Sequence, residues 1–351
     1  MMLTVNTVDH AAEIRSPRKR AGPLLMGVIA PCCCILVGCL FAGTREQQQR
    51  IADDYRLAQA DGTRRSMFAD LTVAGEVATL EDPRFTEKAA AHGLWKPLDY
   101  VAVTHPGVYF LAPFDAARVP VLFVHGMNGS PANFTYLVEH LDRSRFQPWV
   151  YSYPSGMHLD AVADHLEHTV EQLHRGQHFA QMAIVAHSMG GLVARGFILR
   201  HAKSAPTDIP LLVTISTPWN GHAAAELAPP AVNAWRDIAP GSEYLQSLFT
   251  AQLPTTTRHY LLFTFSRKTS RFGASDDHTV TVASQLAAAA QREAVRVVGF
   301  DDTHAGVLVD SGVASLLNRL LDQSFPASRG EGNPTVAFAP SGEPGASDHH
   351  P

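Results

Sequence analysis

The sequence predicts an α/β fold, a doubly wound and mostly parallel sheet with a small helical cap. Short apolar runs alternate with segments of helical spacing from about residue 119 to residue 320. The runs are continuous rather than alternating, as strands covered on both faces require. Segments of this kind return the chain for a parallel neighbour through right-handed crossovers.

The elements follow in order. From about Leu71 the composition turns globular, and VATL, DYVAVTH and GVYFLAPF read as short opening strands. VPVLFVHG (119–126) is a buried parallel strand. Ser130-Pro131 then offers an N-cap and a proline at the first helical position, with Phe134, Leu137, Val138 and Leu141 at helical spacing. FQPWVYSYP is the next strand. Val162, Leu166, Val170 and Leu173 mark a helix, with His165, His168, His174 and His178 largely off its apolar stripe. MAIV (182–185) is a strand running into Ser188, and Leu192, Val193, Phe197 and Ile198 form the buried side of the helix that follows. YLLFTF (260–265) and the apolar run of VRVVGFDDTHAGVL are the last strands, and Val313, Leu316, Leu317 and Leu320 the last helix.

With 351 residues, 46% of them hydrophobic, the chain can bury a sizeable core. Its formal net charge of −5 gives no basic excess, which argues against a nucleic-acid partner. No HExxH spacing occurs and no histidine lies at ligand spacing from the cysteines, so neither metal nor cofactor is expected. The oligomeric state is not legible.

All four cysteines, Cys32, Cys33, Cys34 and Cys39, sit in PCCCILVGC. Arg15, Arg18, Lys19 and Arg20 precede an uncharged run from Ala21 to Gly43, the pattern of an export signal. Leu36-Val37-Gly38-Cys39 resembles the lipobox of bacterial lipoproteins. That resemblance implies a signal peptide over 1–38, a diacylated Cys39 as mature N-terminus, and attachment to the membrane. An uncleaved signal anchor is the alternative, and both put the body outside the cytoplasm. Leu40 after the cysteine, by resemblance to lipoprotein sorting, implies the periplasmic face of a Gram-negative outer membrane. Residues 39–75 then read as a helical tether, 76–324 as the globular domain with its cap at about 222–256, and 325–351, rich in Gly, Pro, Ser and Ala, as a disordered tail.

IVAHSMGG (184–191) raises the chemistry. A sharp strand-to-helix turn demands small residues two before and two after the serine, and Ala186 and Gly190 meet that demand. A serine hydroxyl is a weak nucleophile and needs a base, which His304, between a strand and a helix, is placed to supply. The segments AHSMGG, HGMNGSPANF, SDDHTVTVASQ and DDTHAGVL together resemble the α/β-hydrolase superfamily, in particular its bacterial lipase and esterase branch, over roughly residues 95–322. TISTPWNGHAAAEL and DIAPGSEYLQSLF resemble that branch's strand after the elbow helix and its cap.

The resemblance implies a triad of Ser188, Asp277 and His304, with backbone N–H groups of Met127 and Met189 facing an oxyanion. Asp276 competes with Asp277, whose register with Val280 and Ser284 fits the family's Asp-Gly-x-Val segment, with His278 in place of Gly. Asp301 and Asp302 support the His304 loop, and His125 reads as a loop-stabilising residue. Trp219, Ala223 to Leu227, Trp235 and Tyr244 to Phe249 are readable either as an apolar acyl pocket or as core. The implied reaction is cleavage of a small-molecule or lipid carboxylic ester. An acyltransferase with the same triad and a catalytically inactive envelope lipoprotein are the alternatives.

Overall fold

The computed structural model describes residues 71–203, 207–228, 232–267 and 275–326. The expected signal peptide, Cys39, nearly all of the expected tether and the expected tail beyond Pro326 lie outside the described residues. Eight strands form one sheet: β1 (Val73–Val77), β2 (Gly107–Phe110), β3 (Val119–Val124), β4 (Phe146–Ser152), β5 (Gln181–His187), β6 (Asp208–Ile215), β7 (Arg258–Phe265) and β8 (Ala294–Asp301). Their order is β1-β2-β4-β3-β5-β6-β7-β8, and every neighbouring pair except β2–β4 is parallel.

Among the described residues the α-helices in chain order are α1 (Glu87–Trp95), α2 (Pro97–Thr104), α3 (Thr135–Glu139), α4 (Leu159–Gln177), α5 (Met189–His201), α6 (Asn233–Asp237), α7 (Glu243–Leu248), α8 (Val282–Gln285), α9 (Ala288–Glu293) and α10 (Ser311–Ser324). Because side chains alternate along a strand, each central strand feeds two cores. Leu122, Val124, Ile184, Ala186 and Leu212 face one way, against Val162, Leu166 and Val170 of α4 and Leu192, Val193 and Phe197 of α5. Val121, Phe123, Ala183, Val185 and Val213 face the other, against Phe134, Leu137 and, from α10, Val313, Leu317 and Leu321. Burying each of the Val, Leu, Ile and Phe side chains contributes about 2 kcal/mol, which is why the continuous runs end up in the middle of the sheet. Asp310 caps α10 by accepting from the backbone N–H of Val313 at 2.9 Å. Among the described residues no helix is long and apolar enough to cross a membrane.

Several expectations need correction. DYVAVTH is helix α2, not a strand. Pro97 starts it, Tyr100, Val101 and Thr104 are buried on one side, and His105 ends it with φ of 53°. The strand expected at VATL lies earlier, at Val73–Val77, so the sheet begins inside the stretch assigned to the tether. The helix after Ser130 is short: a 3-10 turn over Pro131–Phe134 leads into α3, which stops at Glu139. Ser130 donates to the carbonyl of Phe85 at 2.6 Å, and Asn133 accepts from the Ser130 N–H at 2.7 Å. His165 is buried within α4 rather than off its stripe, and bonds the hydroxyls of Tyr151 and Thr72 at 2.8 and 3.0 Å.

Candidate active site

The carboxyl ends of parallel strands converge on one edge, where loops gather side chains from distant parts of the sequence. β5 delivers Ser188 there and α5 leaves immediately. Between them the backbone of Ser188 takes φ 54° and ψ −131°, a left-handed conformation that costs a non-glycine residue about 1–3 kcal/mol. It is held by the Ser188 N–H, which donates to the carbonyl of Ile215 on β6 at 2.8 Å, and by the Gly191 N–H, which donates to the Ser188 carbonyl at 3.0 Å. The demand for small neighbours is visible in the packing. A Cβ on Gly190 would lie 2.3 Å from the carbonyl oxygen of Val124 and 2.4 Å from that of His125. Ala186 is fully buried, paired in register with Val124 on one side and Thr214 on the other.

Ser188, His304 and Asp277 are brought into one line. Nε2 of His304 is 2.8 Å from Oγ of Ser188, and Nδ1 is 2.7 Å from Oδ2 of Asp277. The carboxylate accepts only, so Nδ1 carries the proton and Nε2 offers its lone pair to the serine hydroxyl. The backbone joins the two loops as well, the His304 N–H donating to the Asp277 carbonyl at 2.9 Å. Asp277, not Asp276, faces the histidine. Asp276 instead takes the Ser266 N–H on its carbonyl and the His278 N–H on Oδ1, bracing the turn. His278 has φ of 75°, the left-handed conformation that a glycine adopts at no cost.

Asp277 is fully buried, and burial alone pushes its carboxyl upward. The His304 side chain and hydrogen bonds from Thr264 and Val280 outweigh that effect and hold it below the ordinary carboxylate value. Thr264 Oγ1 lies 2.6 Å from Oδ2, and the Thr279 and Val280 N–H groups reach Oδ1 at 3.0 and 2.7 Å. Sequence reasoning missed Thr264, Gln285 and His187. The His187 side chain reaches across to the carbonyl of His304 with Nε2 at 2.8 Å, its ring centre 4.7 Å from the His304 ring. Burial lowers it to about 3, so it is neutral and donates. Its only sequence signal is adjacency to the serine. Asp302 accepts the Thr303 N–H at 2.6 Å just before His304, whereas Asp301 pairs with Arg267 at 3.2 Å.

The loop after β3 approaches the same point. A Cβ on Gly126 would sit 2.7 Å from Cβ of Ser188, so the peptide leading to Met127 runs directly beside the serine. The Gly129 N–H closes this loop on the Gly126 carbonyl at 3.1 Å, and Asn128 takes φ of 54°. Met189 is the first residue of α5, where backbone N–H groups have no partner within the helix and the dipole favours negative charge. His125 is buried with its ring stacked on Tyr153, centroids 4.1 Å apart. Burial lowers it to about 4, and its neutral ring donates from Nδ1 to the Gly126 carbonyl at 2.9 Å. It braces the loop.

In the cap region the structure has a 3-10 turn at Ala223–Leu227 and the short helices α6 and α7. Trp219, Ala225, Tyr244, Leu245 and Leu248 are buried in the core of that face, Trp235 and Phe249 pack partly buried against it, and Leu227 is 91% exposed. Among the described residues no group of three or more His, Cys, Asp and Glu is placed to hold a metal ion.

Residues 119–241 match the family described as alpha/beta hydrolase fold, a span from β3 to the cap that stops short of Asp277 and His304. No curated protein matches the chain. Among solved structures it is similar to the mature form of lipase BlEst2 from Bacillus licheniformis, with 16% identity, 61% of this chain and 97% of that one covered, and a TM-score of 0.48. It is also similar to lipase B of Aspergillus fumigatus, with 16% identity, coverage of 62% and 56%, and a TM-score of 0.47. For phospholipase PlaB of Legionella pneumophila the identity is 18%, the coverage 48% and 44%, and the TM-score 0.41. With its doubly wound sheet of eight strands, its elbow between β5 and α5, and the matched segment spanning both, the chain has the α/β-hydrolase fold.

Proposed function

We propose that the chain is a serine hydrolase that cleaves carboxylic esters, of lipase or esterase type, through an acyl-enzyme on Ser188. The observation that carries this reading is the unbroken line from Ser188 Oγ through His304 to Asp277, at 2.8 and 2.7 Å, on a serine held in a strained turn. In the reaction, Nε2 of His304 takes the hydroxyl proton as Oγ attacks the ester carbonyl carbon. The carbonyl π pair moves onto oxygen, where the N–H groups of Met127 and Met189 face it. Collapse of the tetrahedral species breaks the bond to the alcohol, which leaves with the proton from His304. Water repeats the cycle from the other side, releasing the acid and restoring the serine. Asp277 keeps the His304 proton on Nδ1 and offsets the imidazolium charge.

The test is a fluorophosphonate probe on the folded protein beside Ser188→Ala. Wild type is expected to be labelled and to hydrolyse p-nitrophenyl esters, and the variant to do neither. A folded wild type that takes no label contradicts the reading.

The N-terminal pattern supports a location for this activity. In this reading, cleavage before Cys39 and its diacylation tether the domain to a membrane, at the periplasmic face of an outer membrane, within reach of lipid esters. Mass spectrometry of the mature N-terminus is expected to find acylated Cys39, and an intact Met1 refutes the lipoprotein assignment.

A further inference from the structure

Behind the carboxylate lies a set of buried polar groups that the reaction steps above do not use. Thr264, near the end of β7, and Ser216, just after β6, are both fully buried, with their hydroxyl oxygens 2.7 Å apart. Gln285, at the end of α8, is 1% exposed. The direction of each bond is fixed by counting protons. The Thr264 N–H must donate, so the atom of Gln285 at 2.8 Å from it is the carbonyl Oε1. Its amide nitrogen therefore faces Oδ2 of Asp277 at 3.2 Å, together with the carbonyls of Val280 and Thr264 at 3.1 and 3.0 Å.

Thr264 has one hydroxyl proton and three acceptors in reach, Oδ2 of Asp277 at 2.6 Å, Oγ of Ser216 at 2.7 Å and Oε1 of Gln285 at 3.3 Å. The shortest bond, to the charged group, takes it. Ser216 must then donate to Thr264, and the chain of protons runs Ser216 to Thr264 to Asp277. Ser216 is delivered to this place by a backbone with φ of 54°, a left-handed conformation that serine visits rarely. Oδ2 thus receives donors from His304 and Thr264, with the Gln285 amide, two protons shared among three acceptors, 3.2 Å away, and Oδ1 receives two backbone N–H groups.

We propose that Thr264 is a positioning residue for Asp277, the last donor of a buried hydroxyl relay from Ser216 that, with Gln285, fixes Oδ2 and sets the pH at which His304 takes up its second proton. The relay rests on the triad reading for its effect on turnover, but its effect on His304 is a property of the folded protein alone. Donors stabilise the carboxylate most when it stands opposite neutral His304, and less once the imidazolium offsets its charge. Removing a donor therefore raises the proton affinity of the pair. The other titratable groups facing the pair are His187, from the end of β5, and His222, before the 3-10 turn, both lowered by burial. Asp276 and His278 belong to the Asp277 loop itself. Neither β7 nor α8 presents a charged side chain to the carboxylate: what they present is Thr264 and Gln285.

The experiment is a histidine NMR titration of His304 in the full chain, its resonance assigned by difference with His304→Gln, alongside the pH profile of kcat/KM on a p-nitrophenyl ester. In Thr264→Val the His304 titration and the acid limb of kcat/KM are expected to move up by about half a unit or more. Thr264→Ser, which keeps the hydroxyl, is expected to titrate as wild type. Ser216→Ala is expected to move His304 in the same direction by less, and it reads the relay even where Thr264→Val fails to fold. A His304 titration unmoved in Ser216→Ala and in folded Thr264→Val, with only the melting temperature lowered, makes these residues packing and overturns the relay. Absence of fluorophosphonate labelling in wild type instead overturns the hydrolase reading and leaves the titration to decide the relay.

Discussion

Gly126 and Gly190 flank the same serine, yet a methyl group at each has a different consequence. At Gly126 the added carbon would lie 2.7 Å from Cβ of Ser188 and 3.2 Å from its Oγ. Ser188 is pinned by β5, β6 and α5, so the loop after β3 gives way and carries the Met127 N–H out of the place that the proposed mechanism gives it beside the oxyanion. Losing one such donor costs about a hundredfold or more in turnover. Gly126→Ala is therefore expected to fold and to lose about that much kcat. At Gly190 the clash is with two strand-end carbonyls at 2.3 and 2.4 Å, which cannot move without opening the sheet, so the loss falls on melting temperature first. Steady-state kinetics and thermal melts on the two variants separate the cases, and a Gly126→Ala enzyme of wild-type kcat contradicts this placement of the loop. The serine itself was legible because the turn dictates its neighbours. Thr264, Gln285 and Ser216 were not, because a hydroxyl or amide at a strand or helix end has no local signature. Their meaning comes from contacts between residues far apart in the chain.

At the scale of elements, legibility followed the period of the hydrophobic pattern and the strength of its punctuation. β3, β5 and β7 are largely apolar runs, and α4 and α10 keep a 3.6-residue stripe, so two-sided and one-sided burial were readable from spacing, whereas β6 was located only through the resemblance of the segment that begins at its end, Thr214. Pro148 inside β4 argues against a central strand. It is tolerated because β2 ends there: Phe110, the last residue of β2, pairs with Trp149, and only the carbonyl of Pro148 is used, by the Leu111 N–H at 3.2 Å. DYVAVTH reads as a strand because four β-prone letters, Tyr100, Val101, Val103 and Thr104, outweigh one proline. Pro97 sets the first turn, and burial of Tyr100, Val101 and Thr104 completes the helix. The elbow shows the limit in the other direction. Small residues at 186 and 190 announce a tight turn, but nothing local announces that the loop of His304 is tied to it through the His187 side chain.

Across the whole molecule, the buried histidines tie stability to pH. His125 beyond β3, His165 in α4, His187 at the end of β5 and His259 in β7 are all buried, so protonating any of them in place is unfavourable. Burial lowers His125 to about 4 and each of the other three to about 3. In the unfolded chain each returns to about 6.5. Between these limits the unfolded state binds more protons than the folded one, so stability rises with pH across the window and is lost as pH falls from about 6.5. Each histidine contributes up to about 1.4 kcal/mol per pH unit in that window. Asp277 acts in the same sense at lower pH: its carboxyl is held down in the fold, so its contribution is lost as pH falls through that depressed value. Over two such units the four groups together withdraw up to about 11 kcal/mol, comparable with the whole stability of an ordinary domain, about 5–15 kcal/mol. Thermal melts by circular dichroism are expected to show a melting temperature nearly level above pH 7, falling steeply below pH 6, with cooperative unfolding at room temperature between about pH 5 and 4. A melting temperature that stays level down to pH 4.5 means that these histidines are protonated in the folded state, and with them the neutral His187 and His125 that hold the two loops at Ser188.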